Sequence, residues 1–174
     1  MIYTITLNPA LDYTLKIDNL NLNEINTCKS DCILPGGKGI NVSIILKRLG
    51  IDSVTLGFIS GFTGEEIKRL IEKEKIETNF INLKSENSRI NVKILEKSRE
   101  TAINLAGPLV ESKYIEELYQ KLKILKNDDI LVISGSIPKG ISDDIYENIC
   151  EKVKGKNIKI VVDSSKNLLL NTLK

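Results

Sequence analysis

Pro35-Gly36-Gly37-Lys38-Gly39-Ile40-Asn41 is the segment best suited to holding a ligand. Glycines let the backbone approach a bound group closely. Free N–H groups at the start of a helix, with the helix dipole, favour anions and hydroxyl oxygens. Two familiar phosphate-binding patterns fail here. A Walker A loop needs Gly-Lys followed by Ser or Thr, with an earlier glycine five positions before the Gly. Here Gly39 follows Lys38 and Cys32 holds the earlier place. A dinucleotide fingerprint begun at Gly37 would need glycine where Val42 stands. Spacing alone also fits a glycine-rich helix start with a solvated lysine.

The other chemistry-bearing residues are dispersed. Asp12 follows Asn8-Pro9 after the first strand, where open α/β sheets bind ligands, although a turn aspartate fits as well. Ser134-Gly135-Ser136-Ile137-Pro138-Lys139-Gly140 follows an apolar strand and offers backbone and hydroxyl donors, or is an ordinary βα turn. Arg89 opens the extended run Arg89-Ile90-Asn91-Val92-Lys93, and Asp163 ends another strand. There is no histidine, which removes Ser-His-Asp triads, Cys-His dyads and His-ligated zinc. Cys28, Cys32 and Cys150 include no Cys-x-x-Cys pair. Cys28 and Cys32 are expected on one face of an extended segment, and all three to be reduced and structural.

These residues need a scaffold. The 174 residues, 41% apolar and 28% charged, can bury a core and exclude disorder. A net charge of +2, the absence of tryptophan and the lack of any roughly 20-residue apolar run argue against nucleic-acid or membrane partners. The N-terminus alternates like a strand and lacks a secretory signal, which points to the cytoplasm. Strands are expected at Tyr3–Leu7, Tyr13–Ile17, Ile25–Leu34, Val54–Ile59, Thr78–Leu83, Arg89–Leu95, Thr101–Leu105, Ile130–Ile133 and Ile158–Val162, the last two buried on both faces. Helices are expected after Gly39, with Val42, Ile45, Leu46 and Leu49 on the apolar face and Gly50 as C-cap, and over Gly64–Glu74, Ser112–Leu125 and Ser142–Val153, with another from near Lys166. The alternation predicts an α/β fold with a mainly parallel sheet, and a small antiparallel flap from segments near 13–34 and 89–105. The chain stops as a further βα unit is under way, which reads as an interrupted domain.

Five segments in order, Thr6-Leu7-Asn8-Pro9-Ala10-Leu11-Asp12, Gly36-Gly37-Lys38-Gly39-Ile40-Asn41-Val42, Arg89-Ile90-Asn91-Val92-Lys93, Ser134 to Gly140, and Val162-Asp163-Ser164-Ser165, resemble the phosphofructokinase B branch of the ribokinase-like sugar kinases, and most its members acting on fructose 1-phosphate. The resemblance spans residues 1–174, as the N-terminal part of one ribokinase-like domain with a β lid. It implies ATP-dependent phosphorylation of fructose 1-phosphate to fructose 1,6-bisphosphate, with magnesium. The alternatives are tagatose 6-phosphate as substrate and a non-catalytic sugar-phosphate binder. It implies that Asp12 holds sugar hydroxyls, that Gly36 and Gly37 lie against the sugar, and that Asn41 and Ser136 contact it. Lys38 and Arg89 would face its phosphate, a pairing suited to a dianion. The lid would exclude water and could pair two copies. The family's general-base aspartate, its nucleotide site and its magnesium-organising residues fall beyond Lys174, so no catalytic residue is expected within the chain, which alone is expected to be inactive.

Overall fold

A computed structural model describes residues 1–164 and 166–172; Ser165, which closes the Val162–Ser165 segment, and Leu173 and Lys174 lie outside the described residues. In chain order the elements are β1 (Ile2–Thr6), β2 (Ala10–Lys16), β3 (Ser30–Gly36), α1 (Lys38–Arg48), β4 (Ser53–Ser60), α2 (Gly61–Lys73), β5 (Glu77–Thr78) and β6 (Ile81–Leu83). There follow β7 (Arg89–Leu95), β8 (Glu100–Asn104), α3 (Ser112–Lys121), β9 (Ile130–Ser134), α4 (Ile145–Val153), β10 (Lys159–Asp163) and α5 (Lys166–Thr172).

The main sheet is parallel, in the order β10-β9-β1-β4-β5, with β6 continuing along β4 beyond β5. Helices cover both faces, and while β9 is a continuous apolar run, β1 and β4 alternate, with Tyr3, Ile5, Val54, Leu56 and Phe58 on one face and the buried Thr4, Thr6, Ser53 and Thr55 on the other. On one face Ile5, Leu56, Phe58, Leu131 and Ile133 pack with Leu118, Tyr146, Ile149 and Val153 from α3 and α4. The other face carries α1 and α2, where Ile67 and Ile71, four apart on α2, meet Ile40, Ile76 and Leu11. No helix among the described residues is long and apolar enough to cross a membrane.

The segments expected to form the lid make a second sheet, of order β3-β2-β7-β8. It differs from the all-antiparallel flap expected, because β2 and β7 pair in parallel. Both leave the main sheet in the same direction, so only the two hairpins β2–β3 and β7–β8 are antiparallel. β2 begins at Ala10, so Asp12 lies within a strand and not in a turn. β3 begins only at Ser30, which leaves Cys28 in the preceding loop and Cys32 in the strand, so the two do not share one strand face.

Three further expectations are corrected. Ile45 on α1 and Leu49 at its C-cap are exposed, and the buried residues of the helix are Gly39, Ile40 and Ser43. The reason is polar: the Ser43 hydroxyl bonds those of Thr4 and Ser53, both at 2.9 Å, so a hydroxyl cluster anchors the helix where an apolar stripe was sought. Residues 78–83 form two short strands, interrupted at Asn79 and Phe80, where the chain moves along β4. β10 is not buried on both faces: it pairs only with β9 among the described residues, and Val161 is 45% exposed.

Candidate functional site

The glycine turn is laid against β1. The Thr6 hydroxyl accepts the Ile40 N–H at 3.1 Å, capping α1 from a neighbouring strand. A Cβ at Gly37 would sit 2.6 Å from Thr6 Cγ2, and one at Gly39 would sit 2.6 Å from Thr6 Oγ1. Gly37 also has φ of +134°, a region that L side chains rarely adopt. Both positions therefore need glycine because backbone and strand touch, and the turn is pinned at the C-terminal end of β1.

Alternation along the lid strands sorts its two faces. The register pairs Ala10 with Arg89, Asp12 with Asn91 and Thr14 with Lys93, so these residues share one polar face. Asp12 lies under Gly36, where an added Cβ would meet its carboxylate at 2.5 Å. Asn91 Nδ2 donates to Asp12 Oδ1 at 2.8 Å, and Lys93 Nζ stands 3.9 Å from Asp12 Oδ2. Asn91 is buried, yet its Oδ1 has no protein partner.

Arg89 sits at the root of the lid. Its Nε donates to the Asn8 carbonyl at 3.1 Å, and it lines a cavity of about 340 Å3 with Ser88, Ile90, Leu105, Ala106 and Gly107. Burial lowers the Arg89 guanidinium pKa from its ordinary value, and the nearby Asp12 charge opposes that shift. Asn8 ties this region together, because its Nδ2 also donates to the carbonyls of Ala106 (3.0 Å) and Ile137 (3.5 Å).

Lys38 and Ser136 line a separate cavity of about 300 Å3 with Gly135, Ile137, Ser164 and Leu168. Lys38 Nζ is 3.2 Å from Asp163 Oδ2 and 3.4 Å from Oδ1. The buried Tyr146 hydroxyl donates to the Gly135 carbonyl at 3.1 Å. Burial and, less, Asp163 hold its pKa well above the usual tyrosine value, so it remains a donor. Asn41 is exposed and lines a groove with Leu34, Pro35, Ile44, Ile45 and Arg48. The structure thus brings Asp12 to Gly36 and Lys38 to Ser136, but Lys38 and Arg89 line different cavities and Asn41 stands on an outer flank. Among the described residues no three Asp, Glu, Cys or His side chains gather to hold a metal ion, and no step is assigned to one.

A carboxylate, an amide and cations thus share one face of the second sheet, over a glycine turn at the carboxyl end of a parallel sheet, the edge where open α/β sheets bind ligands. The model of the pfkB family of carbohydrate kinases matches residues 2–173, and the chain belongs to that family. Over 170 residues it is 42% identical to the 1-phosphofructokinase of Bacillus subtilis, covering 98% of this chain and 55% of that protein. Over 173 residues it is 39% identical to the D-tagatose-1-phosphate kinase of Bacillus licheniformis, covering 99% of this chain and 56% of that one. Escherichia coli phosphofructokinase-2 in complex with fructose-6-phosphate superposes with a TM-score of 0.91 at 26% identity, over 99% of this chain and 57% of that one. The chain spans about half the length of the curated relatives it matches.

Sequence reasoning passed over Thr6, Asn8, Asn91 and Lys93 as site residues. The period of two in Arg89-Ile90-Asn91-Val92-Lys93 was the available signal for the last two, since it places Asn91 and Lys93 on the face of Arg89.

Proposed function

We propose that this chain is the sugar-phosphate-binding half of an ATP-dependent kinase that converts fructose 1-phosphate to fructose 1,6-bisphosphate. The observation that carries this reading is the polar lid face, where Asp12 lies beneath Gly36 with Asn91 and Lys93 around it. A carboxylate is a two-oxygen acceptor suited to adjacent sugar hydroxyls, and Gly36 leaves room for that carboxylate, which any side chain there would displace. Arg89, at the lid root, supplies a fixed guanidinium for the phosphate that the substrate already carries. Gly37, Asn41 and Ser136 would complete the contacts, Lys38 would add positive charge beside Ser136, and the lid would exclude water. ATP, with magnesium, would supply the phosphoryl group. Two carboxylates lie near the proposed contacts, Asp12 beside Asn91 and Lys93 and Asp163 beside Lys38, and neither is assigned as the base.

Titration calorimetry on the folded chain should show fructose 1-phosphate binding with no ATP turnover. No heat with any ketohexose phosphate would overturn the reading. Binding that favours a tagatose phosphate would shift the substrate to the second reading, which the D-tagatose-1-phosphate kinase similarity supports.

The other lid face supports a homodimer. Tyr13, Leu15, Ile33, Val92, Ile94 and Ile103 share it by register, and only its root, at Leu11 and Ile90, is covered by the α2 cluster. Ile33 is 40% and Ile103 55% exposed. A second copy laid on this face would bury those side chains. Sedimentation should give a dimer mass for the chain and a monomer mass for the Ile33→Lys, Ile103→Lys double variant; a wild-type monomer at all concentrations would refute the pairing.

A further inference from the structure

We propose that Lys93 is a specificity-determining residue that reads the phosphate charge of the substrate from the lid, oriented by Asp12. The inference rests on the sugar-phosphate reading above. Three observations carry it. First, Arg89, Asn91 and Lys93 occupy alternate positions of β7 and share the face of Asp12, so the lid presents two cations on one strand, on either side of a buried amide. Second, Lys93 is held without being saturated. Its Nζ is 3.9 Å from Asp12 Oδ2, beyond hydrogen-bond length, and its side chain is 40% exposed. An ammonium has three donors, and such a pair is worth little as a structural bond. Third, Lys38 is engaged with Asp163 in the other cavity, which leaves Lys93 as the lysine set beside Asp12.

The unpartnered Oδ1 of Asn91 fits the same picture. It is a buried acceptor between the two cations, and a sugar hydroxyl donating to it would satisfy a group that otherwise loses its hydration. The hydroxyl taken by Asn91 and Asp12 would then fix where the phosphate falls, and Lys93 would meet it there as a compact, mobile charge. A neutral ketose would use the hydroxyl contacts alone.

The test compares fructose 1-phosphate with fructose on the chain and its Lys93→Met and Lys93→Arg variants. Wild type should bind the phosphate ester at least tenfold more tightly than fructose. Lys93→Met should lose most of that ratio while fructose binding stays within twofold, and Lys93→Arg should restore part of it. An unchanged ratio in Lys93→Met would overturn the proposal. Equal losses for both sugars would mean that Lys93 only holds the lid. If wild type binds neither sugar, the sugar-site reading falls and the role of Lys93 with it; if it binds both equally, only the phosphate role falls. Amine-selective labelling of the wild-type chain gives a second readout that needs no variant. Fructose 1-phosphate should protect Lys93 and leave Lys47, which pairs with Asp52, unprotected. Labelling of Lys93 that is indifferent to the ligand would also overturn the proposal.

Discussion

Alanine at Gly36 should weaken fructose 1-phosphate binding by about ten- to a hundredfold while leaving the chain folded. Gly36 does not have the positive φ that would make any side chain a backbone strain, so alanine is conformationally allowed there. The new methyl would instead lie 2.5 Å from Asp12 Cγ and Oδ1 and 2.7 Å from Oδ2, and the short aspartate side chain must swing away. Losing a charged hydrogen-bond partner is worth about 1.5–3 kcal/mol, which sets the expected factor. Asp12→Ala should cause a loss of the same size. The double variant should bind no more weakly than either single one, because both changes remove the same acceptor. Titration calorimetry of the three variants decides the matter. Additive losses would mean that Gly36 acts by a route other than the placement of Asp12.

Gly57→Ala should be the most damaging single-methyl change to stability. Gly57 lies in β4, opposite Thr6 of β1 in register, with φ of +147°. A Cβ there would penetrate the Thr6 carbonyl oxygen, a backbone atom that cannot rotate aside. Overpacking typically costs about 1–3 kcal/mol, and a residue forced into a sparsely populated backbone region costs roughly as much again. Their sum is a large part of the total stability of a domain of this size. Gly155→Ala is the control. It too has positive φ, +91°, but open space around it, so only the backbone penalty of about 1–2 kcal/mol applies. Denaturant midpoints should therefore rank wild type above Gly155→Ala and well above Gly57→Ala, which should yield little folded protein. Equal midpoints for the two alanine variants would show that β1 and β4 do not approach as described.

The physical reasons for success and failure in reading this sequence differ by residue. The parallel sheet was legible because Ile130–Ile133 is an apolar run of strand length and strands alternate with helices along the chain, and the start of α1 because Gly36 to Gly39 precede a periodic stretch. The buried face of α1 was not legible. Ser43 is polar, and only the hydroxyls of Thr4 and Ser53, distant in sequence, make it an interior residue. The exposure of β10 depends on which strands flank it, which its own composition does not encode. The parallel pairing of β2 with β7 is likewise a tertiary outcome. As for the site, the ordered segments pointed to Asp12, Lys38 and Arg89 through the family resemblance, but lid register brings Lys93 to the face of Asp12, and Lys38 meets Asp163 because α1 starts and β10 ends at the same edge of the main sheet.

That register also has a kinetic side. Asp12 and Asn91, bonded across the two central lid strands, are 79 residues apart, whereas each lid hairpin closes locally. Joining the hairpins means closing a loop that spans α1, β4 and α2, at an entropic disadvantage of about 2–3 kcal/mol relative to a short turn. Once the core has folded, that loop is already closed, and the hairpins need only meet. The seam between the two hairpins, lined by Asp12, Asn91 and Lys93, is therefore the long-range junction of the lid. A ligand held by both Asp12 and Asn91, as proposed above, would act as a tether between chain segments that the backbone connects only at long range.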